Sequence, residues 1–318
     1  MNDFNLYNNY SDTNTLNGSV NIPWIEKQGI PYYIFAFFAL VTVFFLYQIV
    51  GGLITLILFG VEPLENNLWG YRLATGIGQI LFIFIPTMML VQLATNRPKE
   101  YLRVSIPSIR ALLLPVIGIL SLQHILQIYL FFQEKIPLPK ELQNILDKFK
   151  DLIENLYLQL ISSSSLTELI SVIVIVALIP AIAEEFMFRG LIQRSIEKSF
   201  APVSSVIITG IIFGAYHLNP FSFIPLVIIG IYLGYILIRS GSIWVPVVAH
   251  FVNNAFACLE LHFKLDDDYI LLGKAGEMSA IALLAAFLLF SMIFLVSTFY
   301  FIRTTKSPVS MNPVERRG

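Results

Sequence analysis

The chain has 318 residues, of which 56% are hydrophobic and only 13% charged, with a formal net charge of −1. Soluble globular chains carry about a quarter charged residues, so this deficit, with a mean hydropathy of +0.74, points to a membrane. The near-neutral balance lacks the basic stripe that nucleic acid requires, and the single cysteine, Cys258, excludes an internal disulfide and a CxxC metal motif.

Residues 1–30 are rich in Asn, Ser and Thr and read as a polar tail, with neither the basic start nor the apolar centre of a signal peptide. Eight apolar segments follow, and about 20 apolar residues carry a helix across the hydrocarbon core. The first three fall within 31–132, at 31–60, 70–94 and 109–132. Residues 133–165 are different in kind. There Leu142, Ile145, Leu146, Phe149, Leu152 and Ile153 recur at helical spacing, which predicts an amphipathic interfacial helix followed by a short linker, Ser162 to Ser165. Spans four to seven occupy 166–262, running from about Thr167 to beyond Glu184 and then over 203–217, 223–238 and 244–261. Residues 263–302 hold an acidic loop (Asp266, Asp267, Asp268) without an EF-hand pattern and then the eighth span, and 303–318 form a tail. The expected fold is an all-α membrane protein, eight transmembrane helices in one bundle around an intramembrane polar cavity.

The loops with Arg97, Lys99, Arg103 and Arg110, with Arg194 and Lys198, and with Arg303, Lys306, Arg316 and Arg317 share one side if eight spans are made. The opposing loops carry Glu62, Glu65 and the three aspartates, although the amphipathic segment adds lysines there. The Lys/Arg bias therefore predicts a multi-pass protein of the cytoplasmic membrane with both termini in the cytoplasm.

The stretch AIAEEFMFRG places Glu184, Glu185 and Arg189 on an apolar helix, where a charge costs about 2.5–3.5 kcal/mol unless it is paired or faces a polar cavity. Glu185 and Arg189 are four apart and can pair on one face; Glu184, about 100° around the helix, needs a partner from elsewhere. Two of the four histidines answer: His217 closes the fifth span in FGAYH, and His250 lies in HFVNN with Asn254 one turn on. At about 1.5 Å per residue, Glu184 and His217 sit roughly 20 Å from their cytoplasmic ends and His250 about 12 Å, depths that overlap. Pro180 and Pro246, each four residues before one of these polar groups, suggest matched kinks. The Gly210/Gly214 and Gly230/Gly234 pairs read as packing devices. His124 reads as an interhelical hydrogen-bonding residue, His262 as an interface residue and Cys258 as an apolar packer.

Together EEFMFR, FGAYH and HFVNN resemble the EExxxR, FxxxH and HxxxN motifs of the CAAX-processing and bacteriocin-processing membrane proteases, which include the type II CAAX prenyl endopeptidases. The resemblance implies an intramembrane endopeptidase acting on a membrane-associated or lipidated peptide or protein. It implies Glu184 as general base, His217 holding the water, His250 and Asn254 facing the oxyanion, Arg189 orienting Glu185, and Phe213 packing or lining the pocket. Glu184, His217 and His250 also supply the donors of a His₂Glu zinc site, while activated water needs no metal; the sequence leaves cofactor use open. Two other readings stay open, a transporter or proton-relay protein and a non-catalytic scaffold or immunity protein. Substrate identity and oligomeric state are not readable from the chain.

Overall fold

The protein is described from a computed structural model covering residues 22–60, 67–137, 139–263 and 279–305. Among these residues all regular structure is helical. In chain order the principal helices are α1 (Tyr32–Phe59), α2 (Leu68–Ala94), α3 (Ile109–Gln133), α4 (Lys140–Ile161), α5 (Leu166–Glu197), α6 (Pro202–Tyr216), α7 (Phe223–Ser240), α8 (Trp244–His262) and α9 (Ala280–Thr304). Seven of them, α1 to α3, α5 and α7 to α9, are long and apolar enough to cross a membrane. The expected fifth span, α6, has 15 residues. Its length of about 22 Å falls short of the ~30 Å hydrocarbon core, so by length the count is seven where the sequence suggested eight.

Sequence ends α6 abruptly. Leu218 takes a left-handed conformation (φ 53°), and Pro220 follows, which cannot continue a helix. The Asn219 side-chain oxygen then accepts from the backbone N–H groups of Phe221 and Ser222 (3.0 and 3.3 Å), turning the chain into α7. α6 and α7 pack at backbone distance. A Cβ on Gly230 would lie 3.0 Å from both the Cα and the carbonyl oxygen of Gly210, and one on Gly214 would lie 3.0 Å from the Phe223 carbonyl. The GxxxG reading holds, and it seats α6 firmly although it is short.

α5 is the central helix. Every residue from 183 to 193 is buried, including Glu184, Glu185 and Arg189. By contrast α1 and α9 expose most of their apolar surface, Phe37 and Phe38 being about 60% exposed. Loops at one end of the bundle interlock: Ser105 Oγ donates to the Gly241 carbonyl (3.0 Å), Ile243 N–H to Arg103 (3.0 Å), and Arg194 to the Tyr101 carbonyl (2.9 Å). To the same end belong the start of α1, where the Tyr32 hydroxyl donates to the Ala94 carbonyl, and the end of α9, where Arg239 donates to Ile302 and Thr305. The opposite end is tied by Arg72, which is fully buried and donates to Glu168 (2.8 Å) and to the Gln159 and Ser162 carbonyls.

Several expectations change. The polar tail is shorter than 1–30, because Trp24–Lys27 forms a helical turn that buries Ile25 against the bundle; a single apolar residue in a four-residue turn carries no periodic signal. Pro246 stands in the first turn of α8, where its missing N–H would have no helical partner, so only Pro180 of the suggested pair lies mid-span. Among the described residues His124 bonds Gln127 on its own helix (3.1 Å), and its ring lies 4.3 Å from that of Phe290. His262 pins the 162–165 linker through Ser163 Oγ (2.7 Å), and Cys258 is a fully buried packer. Residues 1–21, the Asp266–Asp268 stretch and the tail from Lys306 onward lie outside the described residues.

Candidate active site

The helices bring the separated motifs together. His217 Nε2 stands 3.7 Å from Glu184 Oε2, with both side chains largely buried. That gap exceeds a direct hydrogen bond, and it suits one water bonded to both atoms. His217 Nδ1 lies 2.7 Å from the Phe213 carbonyl, one turn back. A carbonyl only accepts, so Nδ1 carries a proton and Nε2 is the ring nitrogen that faces Glu184. The early stop of α6 makes this possible: the imidazole caps a carbonyl of the helix's last turn, and the capping bond fixes its tautomer.

Glu185 and Arg189 pair as their spacing suggested, at 2.8 Å with both side chains fully buried. The same Glu185 oxygen also receives a bond from His250 Nδ1 (2.9 Å), a contact across 65 residues that periodicity could not reveal. Arg189 donates further to the Gly230 carbonyl (3.0 Å). Phe213 lies 4.5 Å beneath the guanidinium, with its ring 4.7 Å from that of His217 and 5.9 Å from that of His250. It therefore packs and lines the site at once. Asn254 accepts from Asn253 Nδ2 (3.3 Å) through its carboxamide oxygen, which leaves its own NH₂ to donate elsewhere.

Glu184, Phe213, His217, His250 and Asn254 all line one cavity of about 830 Å³. Glu185 and Arg189 sit behind that wall, where they hold His250 in place. The fit to a metal is poor: among the described residues no group of three His, Cys, Asp or Glu side chains is arranged to hold an ion. No step below runs through a metal.

Two parts of the cavity were not anticipated. The amphipathic helix α4 lies across it, contributing Phe149, Lys150, Ile153, Glu154 and Tyr157. Lys150 is ion-paired to Glu134 at the end of α3 and to Glu154 (3.5 Å), which ties the middle of α4 down. The facing wall comes from α1 and α2, with Tyr47, Gln48, Thr75 and Gln79. Glutamines inside apolar spans were the available signal, since polar side chains there are costly. Turns of π-helix, frequent at functional sites, border this region in α1 (Phe45–Gly51), α2 (Ile80–Phe84) and α5 (Val174–Leu178 and Phe186–Gln193).

No curated protein and no solved structure matches the chain. Residues 166–256, from the start of α5 into α8, match the family model of the type II CAAX prenyl endopeptidase Rce1-like proteins, the family to which the three motifs pointed.

Proposed function

We propose that the protein is an intramembrane endopeptidase that hydrolyses a peptide bond of a membrane-associated or lipidated substrate by water activated between Glu184 and His217. One observation carries this reading. Glu184, His217, His250 and Asn254, from three helices, face one cavity with the atoms that hydrolysis needs. Glu184 takes a proton from the water while the His217 Nε2 lone pair accepts the water's other hydrogen. The oxygen adds to the scissile carbonyl, and the oxyanion is met by Asn254 Nδ2–H and by His250 Nε2–H. When the tetrahedral adduct collapses, Glu184 returns its proton to the departing amine.

For His250 to donate from Nε2 while its Nδ1–H bonds Glu185, the proposed step uses the imidazolium. With His250 protonated, Glu184, Glu185, Arg189 and His250 sum to zero charge, the condition under which ions tolerate burial.

The chain is further proposed to make eight passes, with α6 as the short one and both termini cytoplasmic. The described ends lie at one end of the bundle, together with Arg97, Lys99, Arg194 and Lys198, which supports an even count. A helix of about 22 Å leaves its far end, and so His217, below the membrane surface, in a depression that α4 covers.

The test is N-terminal proteomics of membranes carrying wild type against Glu184→Gln. New N-termini that depend on Glu184, with equal amounts of folded protein, are expected. Identical N-terminomes would remove the protease reading.

A further inference from the structure

Of four buried polar atoms on the cavity wall that have no hydrogen-bond partner among the described residues, one, Asn253 Oδ1, lies on α8; the others are Glu184 Oε2, Gln79 Oε1 and the Tyr216 hydroxyl. Glu184 Oε2 belongs to the proposed chemistry. The last two are unused by it, although Gln79 is 7% exposed and Tyr216 6% exposed and both line the cavity. A buried polar group without a partner is costly, so such groups in a folded protein call for water, an ion or a ligand.

Their arrangement indicates which ligand. Gln79 Nε2 donates to the Tyr47 hydroxyl (3.4 Å), so the amide presents its carbonyl oxygen as a free acceptor and leaves the Tyr47 proton free to donate. Tyr216 offers a second phenolic donor, on a backbone that Gln48 Nε2 ties to α1 through the Tyr216 carbonyl (3.2 Å). Both phenols line the same cavity as Glu184, the proposed base. One acceptor and two donors on one cavity wall complement an extended peptide, whose N–H is flanked by carbonyls. Neither Tyr47 nor Gln79 lies within the matched segment 166–256.

We propose that Tyr47, Gln79 and Tyr216 form a subsite that binds the backbone amides of the substrate peptide alongside Glu184. The inference rests on the proteolytic reading. It makes α1 and α2 the peptide-holding half of the site and α5, α6 and α8 the reacting half.

The experiment uses full-length protein in proteoliposomes and a quenched fluorogenic peptide ending in a farnesylated CAAX sequence. Tyr47→Phe, Tyr216→Phe and Gln79→Leu remove single hydrogen-bonding groups with little change of shape, and thermal melting checks their folding. Each is expected to raise KM about 3- to 10-fold with kcat nearly kept, the mark of lost uniform binding. A series of probes N-methylated at one amide at a time should contain one that costs the wild type a similar factor and costs Gln79→Leu nothing more. If the wild type cleaves and all three folded variants keep its constants, these groups face water alone and the inference fails by itself. Should Gln79→Leu not fold, the two phenylalanine variants decide. A wild type that cleaves no probe overturns the proteolytic reading for lipidated peptides, and the inference with it.

Discussion

Removing the Arg189 guanidinium tests the buried charge set most directly. Arg189→Met keeps much of the side-chain volume but strips Glu185 of its 2.8 Å partner and the Gly230 carbonyl of its 3.0 Å donor. Glu185 is left with His250 alone, and its second oxygen already lacks a partner. Breaking a buried ion pair from one side typically costs about 3–5 kcal/mol, mostly the penalty of stranding the other ion. Replacing both partners removes that stranded charge, so Glu185→Gln with Arg189→Met should recover a large part of the loss. The cycle is read by melting each purified variant in detergent. A coupling of about 2 kcal/mol or more is expected, with the double variant more stable than Arg189→Met. Activity should not return in the double variant, because His250 no longer has its anionic partner. An Arg189→Met protein that melts like the wild type yet cleaves nothing would refute the structural role and move Arg189 into the chemistry.

Further outcomes follow from the same geometry. Glu184→Gln should melt normally and lose cleavage, and adding His217→Ala should make little further difference, since the two hold one water; additive losses would separate their roles. Asn254→Ala should lower kcat about 10²–10³-fold if it supplies one oxyanion donor, and an unchanged kcat would remove it from that role. Gly230→Ala should destabilise the protein by roughly 1–3 kcal/mol, because the new methyl meets Gly210 backbone at 3.0 Å; an unchanged melt would show that α6 and α7 can part. Single cysteines at Gln28 and Thr305, read against the buried Cys258, should both be shielded from an impermeant thiol reagent added outside cells. Labelling of only one would exclude eight passes.

Much of this site could be read from the chain because its logic is local. The spacing of Glu185 and Arg189 dictated a pair, the glycines of α6 and α7 dictated close packing, and each motif carried its polar group on an apolar helix. What sequence could not supply were the contacts that cross the bundle. Glu185 serves two hydrogen-bond donors, and the second, His250, is 65 residues away. Gln48 and Gln79 are conspicuous as polar residues in apolar spans, yet nothing in α1 or α2 tells which neighbour they face. The amphipathic pattern of α4 likewise announces a helix with one apolar face, and membrane surface and cavity satisfy that face equally well. Arg72 and His262 fasten the 159–163 end of α4 to α2 and α8, beside the cavity that Phe149, Ile153 and Tyr157 help to line, while Ile145 stays exposed.

The short helix α6 connects these features. Ending the helix at Tyr216 drops the histidine into the bundle, where its Nδ1 must bond a carbonyl of its own last turn and its Nε2 must meet another side chain. The same early ending opens the depression, and the glycine contacts with α7 keep α6 from sliding outward to fill it. A short apolar run closed by HLNP is thus the sequence feature that leaves His217 on the cavity wall. The charges around it persist because each buried ion there has an opposite ion or a proposed reacting partner within reach.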